Sequence, residues 1–328
     1  MRRIYSHIIY ICLVAILFAG CRVDYPEKDF WGKVGYDNID SRVPILVAID
    51  NLQGILGNDV KDGNVLSEEW ANADFYVYAF YTSTNVKGAP VDVNYSERMD
   101  SRDDEKVYCL IDDTDNDNIG HGKKARLNRD LTSFLQWKDG DAVYFNSTYP
   151  EYCYKFFAYY LDDAANMNEA PVRGGNSVAY EISIDGTQNL MCGYTTLCPY
   201  GGNTGCLDVY PIFKMERQLA LVKFSPDEQV ENIIVTAPYR GRVVVAADDE
   251  AKIGAQFDDS ETKDYSSEEI GMTFLLPEAD SYELQILTKE GDAPICRNFG
   301  VDGGFMAGHE YTVSIKVIDS ENIELDVK

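Results

Sequence analysis

Histidine is scarce in this sequence, and the common catalytic motifs are absent. The chain has 3 histidines, and the two beyond residue 20, His121 and His309, lie outside any GxSxG, HExxH or Cys-His pattern. The sequence contains no P-loop and no GxGxxG. Carboxylates are numerous enough to supply a glycosidase pair, but abundance does not place two of them around a bond. We therefore expect no enzyme and no cofactor.

Basic residues are also few. The chain carries 29 Lys and Arg against 55 Asp and Glu, a formal net charge of -26 at pH 7. Nucleic acid binds to basic faces, so this balance excludes it as a partner. Strong negative charge instead favours solubility and mutual repulsion on a crowded surface.

Long apolar runs are missing as well. Residues 8 to 19 form an apolar segment that is shorter than the roughly 20 residues needed to span a bilayer. Arg2 and Arg3 precede it, and Leu-Phe-Ala-Gly-Cys at residues 17 to 21 follows. This arrangement predicts a lipoprotein signal peptide over residues 1 to 20. Ordinary secretion with cleavage near Gly20 is the alternative.

Cleavage before Cys21 would make this cysteine the lipid-attachment residue, carrying palmitate and other acyl chains. Residues 21 to 42 are polar and predict a tether behind it. The rest of the chain would then fold outside the cytoplasm, anchored to the outer membrane through Cys21.

Cysteine chemistry stays open at this level. Beyond Cys12 and Cys21, the chain has six cysteines: Cys109, Cys153, Cys192, Cys198, Cys206 and Cys296. In an oxidising envelope these would form three disulfides, but a reducing one would leave them as thiols. The spacings do not match a zinc site, so we expect no metal.

Alternation of apolar and polar residues dominates the remainder of the chain. Short runs such as DFYVYAFY and CYKFFAYYL have a period of two, which is typical of half-buried strands, and turn residues separate them. We expect an all-β protein with two tandem antiparallel sandwich domains, residues 43 to 208 and 209 to 328. The Gly- and Cys-rich residues 186 to 209 have no clean period and are interpreted as a linker or an elaborated loop.

Several motifs in order resemble the fimbrillin family of Bacteroides-type bacteria. They are DFYVYAFYT, YKFFAYYLDD, RQLALVKF, GMTFLLPEADSYELQILTKEG and FMAGHEYTVSIKV. The resemblance implies transthyretin-like, Greek-key sandwiches, lipoprotein export and a structural, adhesive place in a surface fimbria. It also implies other fimbrial subunits as partners, strand exchange between them, and receptors on host or bacterial surfaces.

One family feature is altered here. In stalk subunits an Arg-specific protease cuts after the first strand, which opens a groove for a neighbour's strand. The first predicted strand is residues 44 to 49, and the connection after it contains Lys61 but no Arg before Arg98. Arg42 is a candidate processing site, but it precedes the strand. We therefore expect an anchor, tip or accessory subunit, with a glycan-binding surface lipoprotein of a nutrient-uptake system as the alternative.

Overall fold

The computed structural model describes an all-β chain, as predicted. The described residues are 45–50, 73–82, 107–111, 120–127, 134–138, 154–169, 171–174, 177–197, 210–247, 249–289, 293–319 and 321–328. They all lie within one compact unit, Pro44–Lys328. Within them, 21 strands accompany one short α-helix, α1 (Ser267–Ile270), and one 3-10 turn (Glu250–Lys252).

Nine strands form a large sheet. In chain order they are β1 (Val47–Ile49), β2 (Phe75–Thr82), β3 (Val107–Ile111), β4 (Lys123–Leu127), β5 (Phe134–Trp137), β6 (Tyr154–Tyr160), β9 (Met191–Leu197), β10 (Ile212–Phe213) and β11 (Glu216–Arg217). Their order across the sheet is β10-β1-β5-β4-β2-β6-β9-β11, and β3 also pairs with β2.

The central strands of the large sheet are buried on both faces, which differs from the half-buried alternation expected for them. On β2, Phe75, Val77 and Ala79 are fully buried on one side, and Tyr78 and Phe80 are as deeply buried on the other. Strands covered on both faces have near-continuous apolar runs, and DFYVYAFY is such a run.

A smaller sheet joins the two halves of the sequence. We name it the bridging sheet; it consists of β7 (Val172–Gly174), β8 (Ser177–Ser183), β14 (Arg240–Ala247) and β15 (Gly254–Phe257), in the order β15-β14-β8-β7. The pairing of β8 with β14 is antiparallel and runs from Ser183 opposite Arg240 to Ser177 opposite Ala247. Strands from before and after residue 208 therefore share one hydrogen-bonded sheet.

The remaining eight strands form two C-terminal sheets. One has the order β17-β12-β20-β21, the other β16-β13-β18-β19. Their strands are β12 (Ala220–Pro226), β13 (Val230–Pro238), β16 (Thr262–Ser266), β17 (Thr273–Leu276), β18 (Ala279–Thr288), β19 (Ile295–Phe305), β20 (Glu310–Val317) and β21 (Ile323–Val327). Their pairings are antiparallel except that of β12 with β20, which is parallel, as is that of β1 with β10 in the large sheet.

One hydrophobic core cluster contains residues of all four sheets. Tyr78 and Tyr159 of the large sheet, Val243 of the bridging sheet and Val222 and Leu284 of the C-terminal sheets belong to one cluster of buried side chains. The apolar alternation predicted on β18 and β20 is confirmed, since Tyr282, Leu284, Ile286, Tyr311, Val313 and Ile315 are all buried.

The structure corrects the interpretation of residues 186 to 209 as a linker or loop. Residues 191 to 197 form β9, which pairs with β6 along its whole length. The predicted boundary between residues 208 and 209 lies outside the described residues and stays a prediction.

A long hairpin, residues 230 to 266, connects the bridging sheet to one of the two C-terminal sheets. Strand β13 continues into β14 with only Tyr239 between them, and β15 leads back into β16. The backbone N–H of Tyr239 donates to Glu261 O at 3.0 Å and that of Asp258 donates to Arg240 O at 3.0 Å, so the two strand pairs form one continuous ladder. Its far half, β14 and β15, is hydrogen-bonded in the bridging sheet.

This geometry makes a prediction for the isolated fragment 209–328. Its two C-terminal sheets should form, but β14 would lose its partner β8 and expose Val243 and Val245, which are fully buried in the whole chain. Trypsin should therefore cut the folded fragment rapidly after Arg242 and cut the 44–328 chain there slowly, as followed by mass spectrometry. Equal protection of Arg242 in both proteins would contradict the account.

Candidate functional site

The first strand, β1, is the element on which an assembly role depends, and it is an interior strand of the large sheet. It pairs antiparallel with β5, with Val47 opposite Leu135, and parallel with β10, with Ile49 opposite Phe213. Val47 and Ile49 are fully buried and Ala48 is nearly so. The strand is therefore held by hydrogen bonds on both sides and by side-chain packing.

Further hydrogen bonds hold β1 and the residues on either side of it in the sheet. The N–H of Ala48 donates to Pro211 O at 3.0 Å, and the N–H of Asp50 donates to Phe213 O at 2.9 Å. Ahead of the strand, the indole Nε1 of Trp137 donates to Ile45 O at 3.1 Å. These bonds begin before Val47 and continue past Ile49, so the seated segment is residues 45 to 50.

The segment of residues 210 to 217, named here the closing segment, joins the two ends of the large sheet. Its first part, β10, pairs with β1, and its second part, β11, pairs antiparallel with β9. A side chain at Gly193 of β9 would prevent this approach, because a Cβ there would lie 2.9 Å from Lys214 O and 2.8 Å from Met215 Sδ. Glycine at this position lets the closing segment lie against β9.

Removing β1 would be costly. Burial of a Val or Ile side chain is worth about 1.5–3 kcal/mol each, and each backbone hydrogen bond adds about 1 kcal/mol. Since the strand also separates β5 from β10, its loss would expose the edges of both neighbours.

A charged cluster lies at neighbouring strand ends of the large sheet, where β2 begins and β4 and β5 are close by. Arg126 Nε on β4 lies 2.5 Å from Asp74 Oδ1, and Lys138 Nζ, just after β5, lies 2.8 Å from Asp74 Oδ2. Burial opposes ionisation of Asp74, but the hydrogen bonds and charges of Arg126 and Lys138 outweigh it and hold the pKa of its carboxyl below the usual value. The cluster ties the start of β2 to β4 and β5.

His121 takes part in a closed ring of hydrogen bonds instead of a catalytic arrangement. Tyr159 Oη donates to His121 O, and it lies 2.8 Å from Tyr180 Oη, which lies 2.7 Å from His121 Nδ1. A hydroxyl has one proton. Tyr159 must therefore accept from Tyr180, and Tyr180 from a protonated Nδ1 of His121. Burial raises the pKa of Tyr159 well above its ordinary value, which keeps the hydroxyl protonated.

The next residue, Gly122, brings this ring against β2. Its φ is +80°, and a Cβ at this position would lie 2.8 Å from Val77 O. Both the backbone conformation and the close approach require glycine. Tyr78 Oη adds a hydrogen bond to Gly120 O, so the segment from Gly120 to Gly122 is fixed to the large sheet.

We expect Gly122→Ala to lower the free energy of unfolding by about 2 to 3 kcal/mol, because it combines an unfavourable φ with a backbone clash. Gly303→Ala is the matched control: Gly303 has a φ of +89° but has no atom within 4 Å of the added Cβ. Urea unfolding of both variants separates the clash from the φ penalty. Equal losses would show that Gly122 does not pack as described.

The two cysteines whose side chains are described are free thiols. Cys192 is buried and Cys296 exposed, and burial raises the pKa of the Cys192 thiol to about 12. Cys192 is therefore an inert core residue. The side chain of Cys109 on β3 is not among those described, and Cys153, Cys198 and Cys206 lie outside the described residues.

The two predicted site residues, Cys21 and Arg42, also lie outside the described residues. Among the residues that are described, no group of three or more His, Cys, Asp or Glu is placed to hold a metal ion. Within the same part of the chain, no helix is long and apolar enough to cross a membrane. His309 is exposed at the start of β20, with Nδ1 lying 3.1 Å from Ala307 O.

No family model and no curated protein matches this chain. Several solved structures do. A putative cell adhesion protein from Bacteroides uniformis has 14% sequence identity and a TM-score of 0.49, over 88% of this chain and 97% of that one. A fimbrial assembly protein from Parabacteroides distasonis has 12% identity and a TM-score of 0.45, over 88% and 96%.

The fimbrial anchor protein Mfa2 from Porphyromonas gingivalis has 14% identity and a TM-score of 0.36, over 87% of this chain and 98% of that one.

Proposed function

We propose that this chain is a fimbrillin-like surface lipoprotein, a structural and adhesive component of a fimbria that is anchored to the outer membrane through acyl chains on Cys21. The sequence supports this with the signal segment, the polar tether over residues 21 to 42 and the ordered fimbrillin motifs. The all-β architecture of paired sheets agrees with the fold that those motifs imply.

The proposed role within the fimbria rests on the position of β1 between two hydrogen-bonded neighbours. A stalk subunit must release its first strand to accept one from a neighbour. Here β1 lies between β5 and the closing segment, with hydrogen bonds to both. An anchor, tip or accessory subunit is the role in which such a strand is retained.

The distribution of basic residues supports the same role. Between Ile49 and Phe75 the chain has Lys61 but no arginine, so an Arg-specific protease has no site there. A cut at Arg42 would sever the tether and leave β1 in place. At the other end of the chain, β21 pairs with β20 from Val313 to Val317, so this segment is already used within its own domain.

The anchoring proposal is tested with Cys21→Ser, which should be recovered without acyl chains and should no longer sediment with outer membranes. Cys12→Ser is the matched control, since Cys12 lies inside the predicted signal and should change neither lipidation nor location. Mass spectrometry of the N-terminal peptide should show an acylated Cys21 in the wild type. An unmodified Cys21 thiol, or unchanged membrane partition of Cys21→Ser, would refute the anchor.

A further inference from the structure

A groove of about 850 Å³ opens where the turn of residues 162 to 169 meets the ends of β8 and β14. This volume is in the range of small-ligand sites. The groove brings together residues from four separate parts of the sequence: Tyr76, the turn itself, residues 181 to 183 and residues 240 to 241.

The groove is preformed. The N–H of Ala164 donates to Leu161 O at 3.0 Å, that of Glu169 to Asn166 O at 3.1 Å and that of Ser183 to Ala164 O at 2.9 Å. Ala165 forms an isolated bridge to Ile182, which extends the bridging sheet under the turn. A site with a fixed wall loses little ordering entropy when a ligand binds.

The polar groups of the lining suit hydroxyl groups. Glu181 is exposed at the rim, and Asp163, Asn166 and Asn168 line the turn. Carboxylates accept pairs of hydroxyl protons, and carboxamides both donate and accept. Within the described residues, the side chains of Asp163, Asn168 and Glu181 have no hydrogen bond or ion pair, so these groups are available to a ligand.

The charge of the lining limits the class of ligand. Asp162, Asp163 and Glu181 contribute negative charge against a single cation, Arg240, whose Nη1 lies 3.8 Å from Glu261 Oε2. An anionic ligand would be repelled at close range, whereas a neutral one would not.

Apolar contact comes from Met167 instead of a stacking ring. The ring of Tyr76 stacks on that of Tyr159 at 5.3 Å and 14°, and Lys124 Nζ lies 5.6 Å from its centroid. Met167 is packed partly against the core and adapts to the irregular apolar face of a sugar. We propose that this groove binds a neutral glycan.

This inference is independent of the fimbrial role, because a surface lipoprotein without a glycan site would still be anchored through Cys21. The test uses the chain 21–328 with Cys21→Ser on an array of neutral oligosaccharides ending in mannose, galactose or N-acetylglucosamine, together with sialylated and sulfated counterparts. A neutral glycan bound on the array is then titrated by calorimetry.

Glu181→Ala and Asn168→Ala should each weaken binding, by about tenfold for Glu181, whose carboxylate would accept charge-assisted hydrogen bonds. Both should leave the thermal midpoint unchanged. Glu324→Ala is the matched control, since Glu324 is an equally exposed strand residue on β21, outside the groove. Its binding should equal that of the parent chain.

Three outcomes would overturn the proposal. The first is that the array retains no neutral glycan, and the second is that sialylated glycans bind as tightly as their neutral counterparts. The third is that Glu181→Ala and Asn168→Ala both bind as tightly as the parent chain.

Discussion

The large sheet depends on one constraint, the pairing of the closing segment with β1 on one side and β9 on the other. This pairing leaves β1 without a free edge and ties the start of the described chain to residues 210 to 217. Gly193 makes the approach on the β9 side feasible. A strand paired on both sides is not a template for another chain. This backbone geometry is the ground on which we propose that β1 is retained and that the chain has an accessory role.

The long hairpin of residues 230 to 266 connects the bridging sheet to one of the C-terminal sheets. Strand β14 pairs with β8, which precedes the predicted boundary, and β13 pairs with β18, which follows it. The hairpin therefore takes part in sheets on both sides of that boundary. The shared core through Val243 and Leu284 follows from this arrangement. If tension acted on this protein at a cell surface, force on one sheet would pass to the next through the hydrogen-bonded backbone of the hairpin and not through an unpaired linker.

Strands with strong alternation were predictable from the sequence. The runs DFYVYAFY and CYKFFAYYL agree with β2 and β6 to within one residue at each end. Strand β9 was not predicted, because MCGYTTL has glycine and threonine where an apolar face would be expected, and its burial depends on the neighbouring strand β6. Strands β10 and β11 have two residues each and carry no periodicity at all.

The candidate sites likewise differ in how far the sequence could predict them. The lipid-attachment signal is contiguous, so Cys21 could be predicted from the sequence alone, and it stays a prediction. The groove is assembled from Tyr76, residues 162 to 168, residues 181 to 183 and Arg240, which are brought together by the nonlocal pairings of β2 with β6 and of β8 with β14 and by the bridge from Ala165 to Ile182. His121 had no sequence context, because its partners Tyr159 and Tyr180 lie on other strands.

Retention of β1 is the central claim, and hydrogen exchange measures it directly. In protein purified from the cell surface, the peptide spanning residues 45 to 50 should be present, and the amides of Ala48 and Asp50 should exchange at least about a thousandfold more slowly than in the free peptide. Absence of that peptide, with an N-terminus between residues 51 and 73, would contradict the account and identify a strand-exchanging stalk subunit. Exchange at the free-peptide rate would contradict it equally.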